Sequence, residues 1–291
     1  MPQSAGKRLV EAIGKQLERV EYFSSVENIS PNLAVHELRK TFKRLRALLK
    51  FYNDFPVEFP PDYSTQIKYF GRSLTVMRES FVNLQLFEKI TAGNTLIPER
   101  KIKNAREKIS DKNKEIIEKG FLKSEAYLPM QKFASNLQIQ MEQIAVSIPA
   151  VTQFIGQLEY SYSQSYEIYL KLKQDSESEE IHELRKKLKQ LYYQFDFIRY
   201  VHPRFFRLKT YHLNNITEQL GEDHDLFIFM NDVTENRYDF SDEELEILEN
   251  QVLHLREINR LKLFQRLKQF FGDSPAVFKL KLEEIFKVPV N

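Results

Sequence analysis

Apolar residues in this chain recur at the spacing of an α-helix over long stretches. One such series consists of Leu38, Phe42, Leu45, Leu49 and Tyr52. Because neighbours in this series are three or four residues apart, they fall on one side of a helix, the side expected to face a core. Proline and glycine, which interrupt helices, number only 11 and 8 among 291 residues and lie mainly between the periodic runs. The pattern predicts an all-α protein.

The helix-breaking residues divide the chain into helical runs of roughly 20 to 30 residues. The predicted breaks are Pro31, Pro56, Pro60, Pro61, Gly93, Pro98, Pro149, Pro203, Gly272 and Pro275. Residues 97–148 hold two weaker breaks, Gly120 and Pro129, and are interpreted as a long helical connection with an interruption. The stretch 220–225 is predicted to close a helical run. Two acidic segments, 175–180 and 239–246, are interpreted as helix starts, because acids favour the positive end of a helix.

A six-residue motif occurs twice in the chain. The sequence VHELRK at residues 35–40 reappears as IHELRK at residues 181–186, an offset of 146 residues. The same offset relates Phe42 to Leu188, Lys43 to Lys189, Leu45 to Leu191, Phe51 to Phe197, Leu74 to Leu220, Arg78 to His224 and Glu79 to Asp225. A register shared over this length indicates a duplicated helical unit. We therefore predict one domain over residues 1–291, made of repeat 1 (1–148) and repeat 2 (149–291).

A cationic stripe runs along the helix that contains the first copy of the motif. Its members are His36, Arg39, Lys43, Arg46 and Lys50, about 110° around the helix axis from the apolar side. Between residues 39 and 50 there are six cations and no acid, an arrangement that repels itself and disfavours an isolated helix. A bound polyanion would offset this repulsion, because Arg offers a planar fork to phosphate oxygens and Lys a compact charge.

The second copy repeats the stripe in part, with Tyr192 and Asp196 at the positions of Arg46 and Lys50. A lone basic helix is usually a solvated surface, but recurrence at matched positions favours contact with a ligand. The candidate polyanion contacts are His36, Arg39, Lys40, Lys43, Arg46, Lys50, His182, Arg185, Lys186 and Lys189. For the two histidines, packing and ligand contact are equally open interpretations.

Two carboxylates are candidates for a supporting role. Glu79 and Asp225 occupy matched positions, and each is expected to orient a cation of its own repeat through an ion pair. Gly221, four residues before Asp225, is expected to allow two helices to approach closely.

Overall charge and composition narrow the function further. Lys and Arg total 43 against 41 Asp and Glu, so the net charge of +2 argues against a generic nucleic-acid coat. The absence of cysteine excludes a cysteine nucleophile and disulfides. The N-terminus lacks the apolar run of a signal peptide, and no stretch is long enough to span a membrane. A cytoplasmic protein without a metal or other cofactor is expected.

The chain resembles the CHAD family, the conserved histidine α-helical domain. The resemblance rests on the motif His36-x-x-Arg39-x-x-x-Lys43-Arg44-Leu45-Arg46, on His182-x-x-Arg185-x-x-x-Lys189, on Tyr193, and on Leu220-Gly221 followed by Asp225. It implies two four-helix-bundle-like halves with pseudo-twofold symmetry around a basic channel that binds inorganic polyphosphate without catalysis. The contacts it implies are His36, Arg39, Lys43, Arg46, His182, Arg185 and Lys189.

Three positions depart from the family pattern. Tyr192 stands where an arginine is expected, Thr75 where the first Leu-Gly motif has glycine, and Glu79 where aspartate is expected. Repeat 2 is therefore predicted to bind phosphate less strongly than repeat 1. The Glu-x-Glu-x-Lys signature of the triphosphatase domain that is fused to some family members does not occur. The sequence leaves open whether the protein joins polyphosphate granules, and it indicates no protein partner.

Two other functions compete with this interpretation. One is a metal-dependent phosphohydrolase of the all-α HD type, in which His224 and Asp225 form the metal-binding doublet. The other is a helical adaptor that binds a protein through its acidic faces or through Tyr160, Tyr162, Tyr166 and Tyr169, although packing between helices is the favoured role of these tyrosines. Nucleic acid is expected to bind more weakly than polyphosphate, because no recognition module or aromatic platform is evident.

Overall fold

The protein is all-helical in the parts that its structure describes. This computed structural model describes residues 5–25, 29–52, 62–144, 151–173 and 178–287. Within these ranges there are eleven α-helices and no β-strand, which confirms the predicted fold class. None of the helices in the described ranges is both long enough and apolar enough to cross a bilayer.

The helices follow one another with short connections. Their bounds are α1 Ala5–Ser24, α2 Pro31–Leu49, α3 Asp62–Ser73, α4 Thr75–Thr91, α5 Glu99–Ile117, α6 Tyr127–Ile144, α7 Val151–Lys171, α8 Ser178–Ile198, α9 Pro203–Asn236, α10 Asp242–Phe270 and α11 Pro275–Lys287. A 3₁₀ turn, Lys50–Tyr52, extends α2, and a π turn, Glu118–Leu122, follows α5.

Capping residues explain where several helices begin. The Ser30 hydroxyl accepts a hydrogen bond from the Leu33 amide at 3.4 Å, and Pro31 occupies the first turn of α2, where its missing N–H costs nothing. Ser241 and Glu244 form a capping box at the start of α10, which confirms the interpretation of segment 239–246. Segment 175–180 lies partly outside the described residues, but Glu179 and Glu180 fall in the first turn of α8.

The interruption predicted within residues 97–148 is present, because the helical run that begins at Glu99 ends at Leu122 and α6 begins at Tyr127. Pro129 lies in the first turn of α6, a position that tolerates proline. One predicted helix end is wrong. The stretch 220–225 lies in the middle of α9, because Gly221 is accommodated within a continuous helix. Pro56, Pro60, Pro61, Pro149 and the predicted boundary between residues 148 and 149 lie outside the described residues.

The helix order repeats along the chain at the offset of the motif. Helix α1 begins at Ala5 and α7 begins at Val151, a separation of 146 residues. With the same shift, α2 falls on α8, α3 and α4 together on α9, α5 on α10, and α6 on α11, each within a few residues at its start. The repeat is therefore present in the linear order of helices, while a twofold axis in space stays a prediction.

The apolar stripes of the two motif helices are buried in one large core. Leu38, Phe42 and Leu45 of α2, and Leu184 and Leu188 of α8, are at most 1% exposed. A smaller core lies between α4, α5, the second half of α9 and the first half of α10. Helix α2 packs against α3, α4 and α8, and α9 packs against both α4 and α8. These contacts bring the polar faces of α2, α4, α8 and α9 together.

The tyrosine-rich helix α7 serves mainly in packing, as predicted. Tyr162 is fully buried and stacks on Phe278 with 4.1 Å between ring centroids, while Tyr166 and Tyr169 pack against Phe271. Tyr160 is the exception, with 54% of its surface exposed.

Candidate functional site

Five cations from three helices come together where α2, α4 and α8 meet. We call them the central cluster: Arg39 and Lys43 from α2, Arg78 from α4, and Arg185 and Lys189 from α8. Burial lowers the pKa of Lys43 well below its usual range, and the charges of Arg185, Arg39 and Lys189 lower it further. The cationic residues of both motif copies therefore face a shared region.

The guanidinium of Arg39 is held in place by α3 and α4. Its Nη1 donates hydrogen bonds to the carbonyl oxygen of Gly71, at 3.0 Å, and to the hydroxyl of Thr75. Burial lowers the pKa of Arg39, and the charge of Arg185 contributes in the same direction. Thr75, a departure from the family pattern, thus has a positioning role for this cation.

Arg185 is placed by the close approach of α8 to α9. A Cβ added to Gly221 would lie 3.2 Å from Nη2 of Arg185 and 3.3 Å from its Nε, so the guanidinium occupies the space that a side chain would need. Nε of Arg185 is buried and has no hydrogen-bond partner in the described part of the protein. The expectation that Gly221 permits close helix packing is confirmed.

The central cluster is not neutralised by direct ion pairs. Lys189 lies with its Nζ 5.1 Å from the ring centroid of Tyr192, and its pKa is about 8, lowered by burial and then by Arg185. Among the described residues, no carboxylate lies within ion-pair distance of any of the five cations. A buried group of like charges is expensive unless an anion compensates it.

Glu79 and Asp225 lie at this cluster but do not form the expected ion pairs. Each carboxylate is close enough to the cluster for its cations to influence its pKa. The charge of Arg39 lowers the pKa of Glu79, and the charges of Arg185 and Arg78 lower that of Asp225. Burial nevertheless outweighs those cations and raises the pKa of both groups, and the charge of Asp225 raises that of Glu79 further. No direct ion pair of either carboxylate is present among the described residues, so their role in orienting the cations stays a prediction.

The histidines divide into a packed pair and a separate residue. The rings of His182 and His224 lie 4.2 Å apart, and each has a pKa of about 4, chiefly because of burial. Nδ1 of His182 is buried without a hydrogen-bond partner among the described residues. His36 lies near Glu37, with Nε2 3.7 Å from Oε1, and burial and the charge of Arg78 lower its pKa.

Lys40 and Lys186 point toward acids of their own helices. Lys40 lies 3.4 Å from Glu37, and Lys186 pairs with Glu183 at the matched position. Both lysines are more than one-third exposed, and they lie at the edge of the cluster rather than within it.

Arg46 and Lys50 belong to a second group of cations, further along α2. We call it the distal cluster: Arg46, Lys50, Lys68, Arg72 and Lys187. Burial lowers the pKa of Lys50, as do the charges of Lys187, Arg46 and Lys68, and the charge of Arg72 acts on Arg46.

The sequence did not identify four cations of the two clusters. Arg78 could have been found, because the repeat aligns it with His224, which also lies at the central cluster. Lys68, Arg72 and Lys187 have no matching signal, since their position depends on how α3 and α8 pack against α2.

A metal-binding constellation around His224 does not emerge. Within the described ranges, no three or more His, Asp or Glu residues are placed to hold a metal ion together. The neighbouring Asp223 is fully buried and accepts hydrogen bonds from Arg256 and Arg260 of α10, at 2.9 to 3.2 Å. Asp223 therefore joins α10 to α9.

A sequence comparison and a structure comparison with known proteins both identify the same domain. The sequence model of the CHAD domain matches residues 11–231. The chain is also similar to the crystal structure of the CHAD domain from the plant Ricinus communis, with 16% identity and a TM-score of 0.64. That match covers 99% of this chain and 93% of the other, and it shows a shared fold. No curated protein matches the chain.

Proposed function

This chain belongs to the CHAD family, and on that premise we propose that it binds inorganic polyphosphate without catalysing a reaction. The observation that carries the proposal is the central cluster itself. Five cations of α2, α4 and α8 lie together, partly buried, and form no ion pair with a described acid. A linear chain of phosphates supplies the regularly spaced negative charge that this arrangement lacks.

The strength of the expected interaction follows from the kind of contact. Hydrogen bonds to charged groups contribute about 1.5 to 3 kcal/mol each, so three or four such contacts are enough for tight binding. Arg39 and Arg185 offer planar forks to phosphate oxygens, and Lys43 offers a point charge between them. The basic channel of the proposal is the space that these side chains face.

Polyphosphate is favoured over nucleic acid for a steric and electrostatic reason. The central cluster is partly buried and is lined by cations and helices, whereas single-stranded nucleic acid binds best where exposed aromatic rings stack on its bases. We expect RNA to compete weakly and polyphosphate affinity to fall steeply with salt. Equal affinity for RNA and polyphosphate of similar length would contradict the preference.

A binding titration with long-chain polyphosphate tests the proposal. The variant Arg39→Gln/Arg185→Gln should lose about a hundredfold in affinity, because it removes one fork from each motif helix. Arg204→Gln/Arg207→Gln is the matched control, since both arginines are exposed at the start of α9, about 27 to 32 Å along that helix from Asp225. Thermal unfolding curves establish that each variant is folded.

Two outcomes of this titration are decisive. Loss of affinity in the Arg39 and Arg185 variant alone supports binding at the central cluster. Equal affinity in wild type and in that variant would remove the basis of the proposal. A location in the cytoplasm belongs to the same proposal, while no geometric observation favours the phosphohydrolase.

A further inference from the structure

The distal cluster has the character of a binding surface, although it lies outside the central cluster. Lys68 and Arg72 are exposed on α3, and Arg46, Lys50 and Lys187 are partly exposed. None of these five cations forms an ion pair with a described carboxylate. Among the described residues, Lys187 makes one long hydrogen bond, 3.4 Å, to the amide oxygen of Gln164. Within that part of the chain, the mutual repulsion of the five cations is therefore not offset by a direct ion pair.

One face of α2 connects the two clusters. Arg39, Lys43, Arg46 and Lys50 are separated by four, three and four residues, so their side chains leave the helix on the same side. From Arg39 to Lys50 the helix rises by about 16 Å. Helix α3 packs along this face, and the bond from Arg39 to Gly71 fixes the end of α3 beside the central cluster.

The two clusters therefore form a path rather than a single pocket. A compact anion, such as one phosphate or a short oligophosphate, can neutralise only one of them. A flexible linear polyanion can follow the face of α2 and contact both, and each additional contact releases further counterions.

We infer that the distal cluster holds a second stretch of the same polyanion, so that the ligand of this protein is a chain long enough to span both clusters. This inference rests on the proposed binding of polyphosphate at the central cluster. It assigns Lys68, Arg72 and Lys187 to the binding surface, and it sets a minimum length for tight binding.

Calorimetric titration with two probes, tripolyphosphate and a polyphosphate of many tens of units, tests this inference. The variant Lys68→Gln/Arg72→Gln removes two exposed charges from α3 and leaves the central cluster intact. Its affinity for the long chain should fall about tenfold, while its affinity for tripolyphosphate stays within about twofold. The slope of log affinity against log salt for the long chain should decrease by about one to two, as expected for two lost phosphate contacts.

The control and the contrary results separate this inference from the proposed function. Arg204→Gln/Arg207→Gln removes two exposed arginines elsewhere and should bind both probes as wild type does. If the α3 variant binds the long chain as tightly as wild type, or loses affinity for both probes equally, the inference is overturned while binding at the central cluster stands. If wild-type protein binds neither probe, the proposed function itself fails.

Discussion

Gly221 of α9 lies directly beneath the guanidinium of Arg185, and a Cβ at this position would approach Nη2 to 3.2 Å. Gly221→Ala should therefore displace Arg185 by a few tenths of an ångström and weaken polyphosphate binding about fivefold. Alanine is also the better helix former by about 1 kcal/mol, so the free energy of unfolding should stay the same or increase. Parallel titration and denaturant unfolding measure both effects. A variant that binds as wild type does would show that the position of Arg185 is unimportant.

Thr75 fixes Arg39 in the first motif helix by accepting a hydrogen bond from it. Thr75→Val has nearly the same shape but no hydroxyl, and it should lower polyphosphate affinity about threefold to tenfold, since one bond to a charged group is lost. Thr75→Ser keeps the hydroxyl and serves as the matched control. Equal binding by the valine and serine variants would show that this bond does not position Arg39 for the ligand.

Lys43 should destabilise the free protein, because it is partly buried beside Arg39, Arg185 and Lys189, and the charge of Asp225 offsets their repulsion only in part. Lys43 forms no direct ion pair with an acid in the described part of the chain. Lys43→Met keeps most of the side-chain volume and removes the charge. We expect the free energy of unfolding to rise by about 1 to 3 kcal/mol and polyphosphate affinity to fall at the same time. Thermal or denaturant unfolding without ligand measures the first effect. A loss of stability in this variant would contradict the view that Lys43 is kept for a ligand.

Polyphosphate binding should strengthen as the pH falls below neutral. His182 and His224 have pKa values of about 4, lowered first by burial, so both rings are neutral at pH 7. A bound polyanion favours the protonated rings and raises both pKa values, and the complex then takes up protons that the free protein does not hold. By linkage, the affinity for polyphosphate rises as the pH falls toward the pKa values that the two histidines have in the free protein. Glu79 and Asp225, whose pKa values are already raised, act in the same direction.

Titrations between about pH 8 and about pH 5 measure this dependence. A long polyphosphate is the suitable probe, because its terminal phosphates contribute little to the total charge. His182→Gln/His224→Gln should show a smaller increase in affinity on acidification. The remainder is due to Lys43 and Lys189, whose pKa values are lowered in the free protein, and to the two carboxylates. Affinity that is constant or falls on acidification would show that these groups do not face the ligand.

The helical framework and the two motif helices were predictable from the sequence. Proline positions and hydrophobic spacing predict the starts of α2, α9 and α11, since both signals are local. The middle of α9 was misread because Gly221 has the appearance of a helix end, whereas its reason lies in the contact with Arg185.

The composition of the site was only partly predictable. Spacing on one helix places Arg39, Lys43, Arg46 and Lys50 on one face, and the repeat adds Arg185 and Lys189. The sequence does not tell whether a carboxylate forms an ion pair with one of these cations. Within the described residues, Glu79 and Asp225 form none. The contribution of α3 depends on how this helix packs against α2, which the spacing of residues along one helix does not reveal.

A crystal structure of the protein in complex with polyphosphate would test the central claim most directly. Our account predicts one phosphate chain with oxygens within hydrogen-bond distance of Arg39 and Lys43 on α2 and of Arg185 on α8. Polyphosphate bound on an outer surface, with these three cations making no contact to it, would contradict the account.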